Sequence, residues 1–174
     1  MEIDRNYWKK KYRTEWKAGT SRVEHVLNVL KKEFPNLTIE PTEYALSSEY
    51  IPPDEKHERH EPDIMVLYED SLICAIEVTG SDIEMIPPND IFILKGKYIA
   101  AQKRKKEKKI DTWFYTVYRN SEYVLDLNLI EKFNAGKAHR KYLKGVPEFY
   151  IQIPCQSAYP KERLFKWIRR KLNT

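Results

Sequence analysis

The chain has 174 residues, 41% hydrophobic and 33% charged, with a formal charge of +5. That suits one folded domain with a sizeable core and excludes a disordered chain. Two cysteines exclude a disulfide framework. No apolar run is long enough to span a bilayer and the first residues lack a secretory pattern, so a soluble protein of the cytoplasm is expected.

Residues 4–17 read as a short helix with Trp8, Tyr12 and Trp16 on one face among lysines and arginine. Such a stripe would either touch nucleic acid or pack on the core or a partner subunit; the cost of exposing large aromatics favours packing. Residues 21–34 form a second helix with Val23, Val26, Leu27, Leu30 and Phe34 at helical spacing, opened by a capping-box pair, Ser21 and Glu24. A strand around Ile39 follows within 38–46. Residues 47–61, with Pro52, Pro53 and a charge cluster, read as a loop that ends beside Asp63 and could cover a substrate. Its His57 and His60 have H-x-x-H spacing, but without cysteine or further histidine nearby solvated loop residues are the better reading than zinc ligands.

The next two segments are the most informative. Asp63 opens the strand Ile64–Tyr68, and Glu77 interrupts the apolar run Leu72–Val78, with 13 residues between the two acids. Glu69, Asp70 and Ser71 make a tight turn, so the runs should pair as a hairpin. Two acids side by side need a cation, a shared proton or open water, and hard oxygen donors suit Mg²⁺ or Mn²⁺. Beyond Ile91–Leu94, residues 95–109 read as a helix whose end carries Lys103, Arg104, Lys105, Lys106, Lys108 and Lys109. Six basic residues in seven positions could neutralise several phosphates; a solvated helix end is the plain alternative. Strands are expected at Asp111–Tyr118, Tyr123–Leu127 and Phe149–Ile153, with a basic connection between the last two. Pro160 starts a final helix, apolar on Leu164, Phe165, Trp167, Ile168 and Leu172. Without internal repeats or a low-complexity linker, 1–174 is one domain, with helices at about 4–17 and 160–172 as appendages.

Pro62-Asp63 followed by Glu77-Val78-Thr79 resembles the PD-(D/E)XK nuclease superfamily, nearest in pattern to archaeal Holliday-junction resolvases. The resemblance covers roughly residues 20–120 and implies an α/β, restriction-endonuclease-like mixed sheet flanked by helices. It further implies that Asp63, Glu77 and the Val78 carbonyl hold Mg²⁺ or Mn²⁺, with Glu24 on the first helix matching an acid often directed at that metal. The superfamily places a lysine two residues after the Glu, where this chain has Thr79. A displaced lysine would restore the missing ammonium; Lys95 and Lys97 are the candidates, with Lys97 preferred, and Gln102 follows on the same helix. The implied activity is metal-dependent cleavage of DNA phosphodiesters, with structured or branched DNA suggested by the resolvases. The alternative is a nuclease fold that binds nucleic acid or serves a structural role without cutting, for which Thr79 is the main support. A homodimer would suit a two-strand cut.

Overall fold

The computed structural model describes residues 5–43, 45–46, 60–134, 139–143 and 146–174, with only the backbone described over 5–16, 139–143 and 146–147. The stripe of Trp8, Tyr12 and Trp16, His57 and the loop reading over 47–59 lie outside the described side chains or residues.

Asp63 and Ile64 begin a hairpin whose strands are β2 (Ile64–Tyr68) and β3 (Ser71–Gly80). Glu69 and Asp70 join them with φ of 46° and 63°, the left-handed pair that matches strand twist in a two-residue hairpin loop. Strand β1 (Thr38–Pro41) pairs antiparallel with β2. On the other side, β3 pairs parallel with β5 (Asp111–Val117), and β5 pairs antiparallel with β6 (Glu122–Leu125). The result is a five-stranded mixed sheet in the order β1-β2-β3-β5-β6.

The centre of that sheet is covered on both faces, which is why β3 and β5 read as continuous apolar runs. On one face, Cys74, Ile76 and Val78 pack with Val26, Leu27 and Leu30 of α1 (Arg5–Glu33) and with Leu164 and Ile168 of α4 (Glu162–Leu172). Trp113 meets Trp167 edge to face at 5.7 Å. At the rim, Glu122 gathers His25, Tyr115 and Lys161, with the Tyr115 hydroxyl at 3.0 Å and the Lys161 ammonium at 2.9 Å, tying α1 and α4 to the sheet. Burial alone would raise the Glu122 carboxyl, but hydrogen bonds from Lys161, His25 and Tyr115 outweigh it and hold it below its ordinary range.

A second core lies against the opposite face. It joins Phe114 and Leu125 to Tyr98 and Ala101 of α2 (Lys95–Lys108) and to Leu129 and Ile130 of α3 (Leu127–Asn134). Its outer wall is a small antiparallel sheet, β4 (Asp90–Leu94), β8 (Val146–Pro154) and β7 (His139–Leu143), in which, among the described residues, β4 pairs with β8 alone.

Several elements differ from the sequence reading. The two expected N-terminal helices are one helix of 29 residues that runs through Gly19 without a break. Ser21 and Glu24 therefore sit inside a helix, with no N-terminus there for a capping box to cap. The segment 127–134, expected partly as strand, forms α3, and part of the basic connection before β8 forms β7. Within 38–46, β1 covers Thr38–Pro41; Thr42 still donates its N–H to the carbonyl of Asp63 across from it, and the chain then turns, with the Ala45 N–H donating to the Thr42 carbonyl.

Candidate active site

The hairpin sets the two acids. Alternation along β3 turns Cys74, Ile76 and Val78 toward α1, so Glu77 points into the opposite layer, beneath α2. Asp63 stands just ahead of β2 and is fixed by its own backbone: its N–H donates to the Ile76 carbonyl at 3.0 Å. Its Oδ2 also accepts the Val78 N–H at 2.7 Å.

Helix α2 supplies the positive charge. It begins as β4 ends, and its third residue, Lys97, directs its ammonium between the carboxylates, 2.8 Å from Glu77 Oε2 and 3.3 Å from Asp63 Oδ2. Two turns later on the same face, the buried Arg104 guanidinium lies 3.8 Å from Glu77 Oε1. Arg104 also donates to Thr112 Oγ1 at 2.8 Å and to the His60 carbonyl at 3.1 Å. His60 has φ of 61°, and its ring rests on the first turn of α2: a Cβ on Gly96 would come within 2.7 Å of His60 Nε2. Gly96 thus lets the histidine approach beside Lys97.

Glu77 is fully buried, and burial pushes its carboxyl up to about 7 even though Lys97 pulls it down. For Lys97, burial acts to lower the ammonium, but the charges of Asp63 and Glu77 prevail and hold it above its ordinary value. The Lys97 ammonium at 2.8 Å from Oε2 and the Arg104 guanidinium at 3.8 Å from Oε1 are the cationic partners of Glu77 among the described residues. Two carboxylates held side by side, one of them fully buried, are a hard donor set that fits Mg²⁺ or Mn²⁺.

The expected site residues divide into those the fold gathers and those it does not. Asp63, Glu77 and Lys97 come together. Lys95 is half-buried and, among the described residues, forms no ion pair with either acid. Thr79 lies on the Glu77 face of β3, opposite Thr116, and lines a separate cavity beyond the acids. Glu24 is exposed on α1, which packs on the other face of the sheet, and among the described residues no third acid or histidine joins Asp63 and Glu77. Gln102 turns toward α3, donating to Tyr98 and Glu131. Of the basic cluster, Lys103, Lys105, Lys106, Lys108 and Lys109 are exposed, with Lys105 paired to Asp111 at 3.1 Å. Arg104 is a correction: it turns inward because it shares a helix face with Lys97 and Ala101, and it serves the acids from inside. Sequence reasoning missed both this role and His60, though the spacing of positions 97, 101 and 104 carries the signal for the arginine.

A mixed sheet flanked by helices on both faces is a restriction-endonuclease-like fold, and two solved structures superpose on it. The Holliday junction resolvase Hjc from the archaeal hyperthermophile Archaeoglobus fulgidus superposes with a TM-score of 0.51 over 84% of this chain and 99% of its own, at 10% identity. A nuclease from a fusselovirus superposes with a TM-score of 0.54 over 88% of this chain and 89% of its own, at 15% identity. No family model and no curated protein matches the sequence, so the likeness is one of fold.

Proposed function

We propose that this chain is a metal-dependent endonuclease that hydrolyses phosphodiester bonds of DNA, with Asp63, Glu77 and Lys97 as its reacting centre. The observation that carries this reading is the Lys97 ammonium, 2.8 Å and 3.3 Å from two carboxylates that the hairpin holds together. It supplies from a helix the charge that Thr79 cannot supply from the strand. The two solved neighbours, a Holliday junction resolvase and a viral nuclease, support the same class of reaction.

Asp63 and Glu77, with the Val78 carbonyl, would hold one Mg²⁺ or Mn²⁺. When bound, that ion polarises the phosphodiester and lowers the pKa of water. The chain's own part is to supply the oxygen donors and to bury Glu77 beneath α2. Lys97 orients the attacking water and offsets the negative charge that grows on the phosphoryl oxygens. Arg104 is a positioning residue: it holds the Glu77 carboxylate and the backbone at His60. The exposed lysines at the end of α2 would draw the phosphate backbone toward the site.

The test is cleavage of plasmid, single-stranded and four-way-junction DNA with Mg²⁺, Mn²⁺ or EDTA. Lys97→Ala should lose about 10²-fold or more in rate while DNA binding persists, and Lys95→Ala should lose little. A second reading has its own observation. Lys97 already neutralises the acids, so the trio could be a buried ion-pair cluster in a protein that binds DNA without cutting it. Absence of cleavage in wild type, with cleavage gained by Thr79→Lys, would establish that second reading.

A further inference from the structure

The chemistry above leaves unused a cavity of about 420 Å³ bounded by Thr79, Met85, Phe92, Tyr118 and Tyr150. That size falls within the roughly 300–1,000 Å³ of small-ligand sites. Its near wall begins at Thr79, two residues beyond Glu77 on the same strand face and so about 7 Å further along β3. Its far wall is aromatic: Phe92 and Tyr150 meet edge to face at 6.3 Å and 88°. Tyr118 stands between the walls, tilted against Tyr123 at 6.4 Å.

The rim is braced. Asn120 accepts the Met85 N–H at 2.7 Å and donates to the Met85 carbonyl at 3.2 Å, while Arg119 donates to the Asp82 carbonyl at 2.9 Å. This fixed loop presents Ile83 and Ile86 to solvent, each 51% exposed. Among the described lining residues Asp90 alone is charged, which disfavours an anion in the cavity. The lining suits a flat neutral group with a π-face and a polar edge.

We propose that this cavity seats an unpaired nucleobase of the strand whose phosphodiester lies at Asp63 and Glu77. The proposal rests on the nuclease reading and deepens it, because it names the substrate class: DNA with an unpaired nucleotide beside the bond to be cut. Stacking on the ring face of Phe92, Tyr118 or Tyr150, with the other rings closing on the edge of the base, supplies the affinity. Extrusion from an intact duplex costs a few kcal/mol that an unpaired base does not incur, and this sets the preference.

Binding is measured in EDTA by fluorescence anisotropy, so that cutting cannot intervene, on three DNAs: intact duplex, a one-nucleotide bulge, and the same bulge with an abasic residue. The abasic bulge keeps the backbone flexibility and removes the base. The base-containing bulge should bind roughly fivefold or more tightly than the abasic one, and that ratio should collapse toward one in Phe92→Leu and Tyr150→Leu. A 5-iodouracil bulge should photocrosslink to peptides holding Phe92, Tyr118 or Tyr150. Equal affinity for the two bulges, or crosslinks confined to other segments, would overturn the proposal. Cleavage in Mg²⁺ is scored separately: its absence on every DNA would overturn the nuclease reading while leaving base-dependent binding standing or falling by its own data.

Discussion

Glu77 makes the electrostatics of the site measurable without any substrate. Burial holds its carboxyl at about 7 against an ordinary 4.5, with Lys97 and Arg104 only partly offsetting the cost of desolvation. A carboxyl raised in the folded state favours folding most below its ordinary pKa, and that advantage is lost as pH rises toward and through 7. Lys97, held above its ordinary value, stays charged in both folded and unfolded chains over this range, so it adds no slope of its own. Between pH 5 and pH 8 in EDTA, Glu77 should therefore cost the protein roughly 2–3 kcal/mol of stability. Glu77→Gln keeps the shape and removes the proton equilibrium. Urea unfolding of wild type and variant at both pH values isolates the effect, because every other titrating group cancels in the difference. Wild type should lose roughly 2–3 kcal/mol more than the variant over that interval. Equal pH dependence in the two proteins would refute the reasoning, since it would mean that Lys97 and Arg104 fully compensate the buried charge.

Replacing the guanidinium by an apolar group, Arg104→Leu, should lower stability by about 3 kcal/mol, because Thr112 and the His60 carbonyl lose their donor and Glu77 loses a neighbouring cation; a fall in DNA affinity with unchanged thermal stability would instead mark Arg104 as a phosphate ligand. Reversing charge at the exposed Lys103 and Lys106 should weaken DNA binding across all sequences and flatten the log–log salt dependence by about 0.9 for each phosphate no longer neutralised, as read by titrations at several salt concentrations. Gly80→Ala should destabilise by roughly 3 kcal/mol or more, since Gly80 has φ of 130° and an added Cβ would lie 1.9 Å from the Val117 carbonyl oxygen; circular dichroism melts would show the loss.

Much of the carboxylate half of the site was legible in the sequence because it is local. Two apolar runs, a turn and an acid in each define a hairpin, and a hairpin fixes which side chains are neighbours. The cationic half was legible only as a choice between Lys95 and Lys97, since the direction of a side chain on the first turn depends on how the helix docks. Docking is tertiary, and so is the inward turn of Arg104, which composition groups with the solvated lysines around it. Helix α1 shows the opposite failure. Gly19 and the Ser21–Glu24 pair give a locally sound reason to start a new helix, yet the backbone continues through them. The buried side chains at positions 23, 26, 27 and 30 tie that helix to the sheet, and such packing overrides local capping preferences.

The dependence of β4 on β8 has a consequence for how the site comes into being during synthesis. The hairpin carrying Asp63 and Glu77 needs only neighbours in sequence and can form early. Helix α2 continues directly from β4, and among the described residues β4 takes its strand partner from residues 150–154, some sixty positions downstream. The start of α2 is thus held from two sides: by Tyr98 and Ala101 against Phe114 of β5, and through β4 by β8, so the ion-pair centre gains its last support when β8 docks.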